Sequence, residues 1–206
     1  MALKYPEETQ IEDNKRIIDG VLKQKVSLEV KNFSLKEDFE NDCSFVSFLL
    51  QYDDGEEQQE FEICNKGSGV IDAIYTGMLK QLEGKYISLR NVVLYDFIVS
   101  VKFQESMTTL STDAPVEVKI GLVGTSSSKS KLYFKAKSNS IVKSSLVAVC
   151  EAMEYLVNSE MAVKQLHKDI QHASKRQRMD LKERYISKLS ELVNFISYSE
   201  VIEKNR

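Results

Sequence analysis

The chain has 206 residues, with 31 acidic against 28 basic side chains and a formal net charge of −3. It carries two Pro, eight Gly, no Trp and 42% apolar residues, enough to build a core and too varied for a low-complexity or collagen-like chain. Near-neutral charge leaves no basic footprint for nucleic acid.

Nowhere do eighteen apolar residues run together, so no membrane-spanning helix is expected. The opening MALKYPEETQIEDNKR has no hydrophobic signal core, and the expected location is cytoplasmic. Cys43, Cys64 and Cys150 are scattered, odd in number and never spaced as CxxC, which predicts neither a disulfide framework nor a zinc site. All three read as buried or semi-buried small hydrophobes. The two histidines, His167 and His172, lie in a polar tail. With no nucleophile–base pair and no metal constellation, the expectation is a protein that is not an enzyme and uses no cofactor or metal.

In chain order, a charged helical lead over residues 1–25 carries Ile11, Ile17, Ile18, Val21 and Leu22. Val26, Leu28 and Val30 then alternate with polar residues, as in a half-buried strand. A charged turn, KEDFEND, leads to the β run SFVSFLLQY, which closes on Asp53-Asp54-Gly55, a hairpin signal. A third strand runs roughly from Gln58 to Cys64. Asn65-Lys66-Gly67-Ser68-Gly69 opens a helix whose Ile71, Ile74, Met78 and Leu82 fall at helical spacing, with Gly84 where a C-cap belongs.

The second half repeats that order. ISLRNVVLYDFIVSVKF reads as a long strand, APVEVKIGLVG as a second, and KLYFKAK as a third after the Ser-rich turn Thr125–Ser128. A helix follows from Ser140, with Val142, Leu146, Val149, Met153 and Leu156 on one stripe. The predicted fold is α+β: two βββα units, residues 26–84 and 85–158, forming an antiparallel-sheet pseudo-dimer. From Met161 the composition turns polar, without Gly or Pro. Residues 159–206 read as a C-terminal extension of one or two amphipathic helices, with Leu181, Tyr185, Leu189, Leu192 and Ile196 as their stripe.

The Gly-x-Gly turn before the first-unit helix admits close backbone approach and points free N–H groups outward, which favours a carboxylate or phosphate. No Gly-Lys-Ser/Thr follows, so it is not a P-loop, and without a third Gly it is not a dinucleotide fingerprint. The plainer reading is a tight turn with Asp72 complementing the helix dipole.

Gly67-Ser68-Gly69-Val70-Ile71-Asp72-Ala73 resembles the Gly-x-Gly-Pro-Val-Asp-Ala motif of the regulatory domain of 2-isopropylmalate synthase, which citramalate synthase shares. Leu94-Tyr95-Asp96-Phe97 resembles that family's Leu-x-Asp-Tyr. Thr112-Asp113-Ala114 with Val116-Glu117-Val118 is similar to its Gly-x-Asp-Ala…Val-x-Val turn, and Ser140–Leu146 to the start of its second helix. The resemblance spans residues 26–158, without any catalytic barrel. It implies an allosteric, homodimeric module that binds leucine or isoleucine between two copies and modulates a synthase partner of branched-chain amino acid biosynthesis. It places the effector at Gly67, Ser68, Gly69, Val70, Ile71, Asp72, Leu94, Phe97, Val101, Ala114 and Ile141. Three positions depart from the pattern: Val70 stands for Pro, Phe97 for Tyr and Ser140 for Asp.

Two other readings stand beside it. One is a protein-interaction or dimerisation scaffold with a vestigial pocket, in which the C-terminal helices do the binding. The other is a double-stranded RNA-binding order over residues 11–83, which the acidic Asp53, Asp54, Glu56 and Glu57 and the absence of a Lys-rich helix start oppose.

Overall fold

The computed structural model describes residues 6–101, 114–125, 131–193, 198 and 201–202. Helix α1 (Pro6–Val21) precedes strands β1 (Ser27–Asp38), β2 (Cys43–Asp53) and β3 (Gln58–Gly67) and helix α2 (Val70–Leu82). After a 3-10 turn (Ile87–Asn91) come β4 (Val92–Val101), β5 (Val116–Gly124), β6 (Lys131–Ser138), α3 (Ile141–Lys175) and α4 (Met179–Val193). The architecture is the α+β one expected: two antiparallel three-stranded sheets, ordered β1-β2-β3 and β4-β5-β6, each followed by a helix.

Alternation along β2 shows how a helix claims one face. Ser44, Val46, Phe48, Leu50 and Tyr52 are buried, while the residues between them are exposed or half-buried, because α2 lies on one side of β2 and β3 only. In α2, Ile71, Ile74, Met78 and Leu82 are all buried, so the helical stripe is the core-facing one. Helix α3 does the same for the second unit, lying over β5 and β6 with Val149, Met153 and Leu156 fully buried. Both units share one continuous core, which includes Ile11 and Ile18 of α1 and Leu192 of α4.

Several boundaries differ from the expectation. Lys36, Glu37 and Asp38 belong to β1, so the turn is only Phe39–Asp42, where Asp38 accepts hydrogen bonds from the Asn41 backbone N–H (3.1 Å) and Nδ2 (2.9 Å). Strand β1 carries an irregularity between Lys31 and Ser34, with Asn32 at φ 51°. Strand β3 runs on to Gly67. Residues 87–91 are a 3-10 turn rather than strand, because the buried Glu160 carboxylate accepts from both the Ser88 backbone N–H (2.9 Å) and Oγ (2.7 Å). Gly84 is not a left-handed cap: α2 ends at Glu83 in the right-handed region, and the chain tightens through bonds from Lys85 and Tyr86 N–H to the Leu82 carbonyl. Gly55, at φ +84°, does turn the β2–β3 hairpin as expected. The composition change at Met161 falls inside α3, which continues without a break to Lys175. Ile196, Thr112, Asp113 and Ser126–Ser128 lie outside the described residues. Among the described residues, no helix is long and apolar enough to cross a membrane.

Candidate functional site

The Gly-x-Gly turn joins the last residue of β3 to the first of α2. Gly69, the N-cap, is fully extended (φ −179°, ψ 169°) and offers no side chain to cap the helix. Asp72, in the first turn, instead reaches back to the residue before the cap, its Oδ2 accepting from the Ser68 backbone N–H (2.9 Å) and Ser68 Oγ (3.3 Å). A carboxylate therefore already stands at the positive end of α2. Gly67 admits no side chain: a Cβ there would lie closer than 3 Å to the Ala73 backbone and to Asp72 Oδ2. The close approach is made by α2's own first turn. Val70 is half-buried and Ile71 is in the core.

The remaining expected residues lie on the second unit. Leu94, Phe97 and Val101 of β4 stand opposite Leu122, Ile120 and Val116 of β5, which places them on the helix-facing side of the sheet. Helix α3 lies over β5 and β6 rather than over β4. Leu94 is half-buried against the core, whereas Phe97 is 41% and Val101 40% exposed. Ala114 is buried just before β5, and Ile141 is 46% exposed at the start of α3. Ser144 Oγ donates to the Val116 carbonyl (2.9 Å), so the start of α3 is fixed at the Val101–Val116 end of the sheet. Helix α2 instead meets β4 at its opposite end, where Tyr75 Oη donates to the Val92 carbonyl (2.9 Å). Along β4, Val92 and Val101 are about 30 Å apart. Val101, Ala114 and Ile141 thus lie towards the end of β4 remote from α2, whereas Leu94 lies near the end that α2 meets. Among the described residues, the grooves that include Ser34 and Lys66, Lys15 and Asn158, Ser27 and Glu60, and Asp169 and Tyr185 are lined by no residue of the expected effector set.

Beyond Phe97 and Val101, β4 also exposes Val99 on the helix side and Val93, Tyr95 and Ile98 elsewhere along the strand. Periodicity could have found this, since VVLYDFIVSV is apolar without clean alternation, the pattern of a strand covered on both faces. Yet among the described strands β4 is an edge strand, bonded to β5 alone.

The ionisable interior is structural in geometry. Glu160, fully buried, holds Ser88 with Oε2 and the Lys164 ammonium with Oε1 (2.6 Å). Tyr52 and Tyr86 share a 2.6 Å hydrogen bond, and Lys85 Nζ donates to Tyr52 Oη (2.8 Å). Despite that lysine, burial raises both phenols above their ordinary value, so neither is an activated base. Asp54 beside them is lowered to about 2, chiefly by accepting the Glu57 and Glu56 backbone N–H groups and then by Lys85. Cys43 and Cys150 are buried, and burial pushes the Cys150 thiol up to about 12. Cys64 corrects the expectation: it is exposed, its thiol donating to Ser47 Oγ at 3.5 Å. Among the described residues, no group of His, Cys, Asp and Glu side chains has the geometry to hold a metal ion.

No protein-family model matches this chain, and no curated protein sequence matches it.

Proposed function

We propose that this chain is a non-catalytic interaction module, in which the exposed apolar β4 edge of the second sheet pairs with a second copy. The observation that carries the reading is the contrast between the first strands of the two units. In β1, Leu28 is buried and Val30, Phe33 and Leu35 are partly buried against the core, with Phe33 stacked on Phe48 at 6.0 Å. Helix α3 leans onto β1, where Glu154 and Asn158 bond its backbone. In β4, Phe97, Val99 and Val101 occupy the corresponding side of their sheet and remain 38–41% exposed. Edge strands normally avoid such a surface, because unpaired N–H and C=O groups beside apolar side chains invite another strand. Burying the 38–41% of each such side chain that is still exposed stabilises a complex by about 0.6–1.2 kcal/mol before the costs of association.

The test is the mass of the chain in solution by sedimentation. The wild-type chain is expected to be a dimer at micromolar concentration. Phe97→Asp combined with Ile98→Lys is expected to give a monomer with unchanged circular dichroism. A monomeric wild type overturns the reading.

The amino-acid-sensing module acting on a 2-isopropylmalate synthase-type partner is the second reading. In its favour, Phe97, Val101 and Ile141 are exposed towards one end of the sheet, as half of a slot that a second copy would complete. Against it, the Asp72 carboxylate sits where the effector carboxylate was expected, and like charges repel. Calorimetry with leucine, isoleucine and valine separates the two: saturable heat with any of them supports sensing, and no heat at millimolar concentration leaves only the interaction role.

A further inference from the structure

The bare face of the first sheet, opposite α2, carries a groove of about 630 Å³ that the interaction reading does not use. Cross-strand register builds it in rows. One row is Lys36, Phe45 and Lys66 from β1, β2 and β3; the next is Ser34, Ser47 and Cys64. Phe45 is 39% exposed between the two lysines, and the Lys66 ammonium lies 5.3 Å from its ring centroid.

The groove carries two cations and no carboxylate in its lining. Lys25, Lys31, Lys85 and Lys164 each pair with a carboxylate, Asp19, Glu29, Asp54 and Glu160 respectively. Among the described residues, neither Lys36 nor Lys66 makes such a pair, and no acidic side chain lines the groove. Asp38 and Glu62 flank the groove one residue pair beyond Lys36 and Cys64, and the Asp38 carboxylate is engaged by Asn41.

The neutral groups are donors as well. Ser47 Oγ accepts the Cys64 thiol, which leaves the Ser47 proton available to a ligand. Asn65 Nδ2 is taken by the Ala73 carbonyl and Thr76. The lysine Cα atoms are about 10 Å apart, two strand spacings, so both flexible side chains can converge above Phe45. Two point cations and a hydroxyl donor around an aromatic face suit a dianion rich in acceptor oxygens, carried on a flat apolar body.

We propose that this groove binds an aryl phosphate, with its oxygens between Lys36 and Lys66 and its ring against Phe45. Two sources share that chemistry: a free small phosphomonoester, or a phosphotyrosine on another protein. The test is amide NMR of the full ¹⁵N-labelled chain titrated with inorganic phosphate, phenyl phosphate and a short phosphotyrosine peptide. Phenyl phosphate should bind saturably, with shifts confined to residues 34–36, 45–47 and 64–66. Lys36→Ala and Lys66→Ala should each weaken it roughly tenfold, the loss of one charge-assisted bond. Phe45→Ala should bring phenyl phosphate down to the affinity of inorganic phosphate. All three side chains are exposed, and unchanged amide dispersion elsewhere verifies the fold of each variant. A peptide that binds more tightly than phenyl phosphate identifies a phosphorylated protein as the source; equal affinity identifies the small molecule. Absent or scattered shifts, or shifts indifferent to the lysine substitutions, overturn the proposal.

Discussion

Gly67 and Gly69 look equivalent in the sequence and are opposites in the structure. A side chain at Gly67 would drive into the Ala73 backbone, whereas nothing lies within 4 Å of the position a Cβ would take at Gly69. The extended backbone at Gly69 suits any residue. Gly67→Ala is therefore expected to destabilise the fold by about 1–3 kcal/mol, the usual cost of overpacking. Gly69→Ala should stay within about 0.5 kcal/mol of wild type. Urea denaturation of both variants checks this, and equal costs would mean that close packing is not what Gly67 serves. The motif was legible as a turn and helix start; which glycine is needed, and for what neighbour, was not. That depends on how α2 settles back onto the end of β3. Asp72 makes the same point, since its place near the helix dipole was foreseeable and its bond to Ser68 required the turn's actual path. Glu160 gave no signal at all, because a glutamate in a polar stretch looks like a solvated one until Ser88 and Lys164 close around it.

Among elements, α3 and β1 form a seam that no periodicity announces. Asn158 imitates a neighbouring strand, with Oδ1 accepting the Val26 N–H (2.8 Å) and Nδ2 donating to the Val26 carbonyl (2.9 Å). One turn earlier on the helix, Glu154 Oε1 accepts the Leu28 N–H at 2.5 Å. The two side chains cap backbone groups at the start of β1 and blunt that edge, a cover β4 lacks. Burial raises the Glu154 carboxyl above its ordinary value despite the Leu28 bond. The native state then keeps that proton to a higher pH than the unfolded chain does. Stability falls as pH rises through the window between the two values, and the penalty is absent below the unfolded value of about 4.3. Glu154→Gln keeps an oxygen for Leu28 and removes the charge. It is expected to be more stable than wild type near neutral pH, with the difference closing in acid. A difference that persists unchanged below pH 4.3, about the ordinary carboxyl value, would point to packing instead. The stripe of α2 and the alternation of β2 were readable because each buries one side, and the stripe of α3 was readable over its first turns, where it lies on β5 and β6. ISLRN misled because its alternation belongs to a turn fixed by a side chain 72 residues away.

At the scale of the whole molecule, α3 is the spine. It touches β5, β6, β1, α1, α2 and α4, and it keeps Ala162, Val163 and Leu166 fully buried well past residue 159. Tyr198 and Val201 are buried too, so these two residues belong to the core. A chain cut after Ser159 is thus expected not to fold, and any partner it lost would report unfolding rather than a separate tail function. Cutting after Val193 is milder. Losing the burial of Tyr198 and Val201 should cost about 3–6 kcal/mol, read from thermal unfolding; an unchanged midpoint would show that these two side chains do not hold the core. The sequence by itself determined the class of fold, the order of its strands and helices, and the helix faces that turn inward. Those properties follow from local alternation and from which side chains avoid water. The tertiary structure alone decided that α3 shelters β1 and leaves Phe97, Val99 and Val101 of β4 partly exposed, that Asp72 bonds back to Ser68, and that Lys36 and Lys66 flank Phe45 in one cross-strand row. Each of these depends on the distance between segments far apart in the chain, and no local pattern of residues encodes that distance.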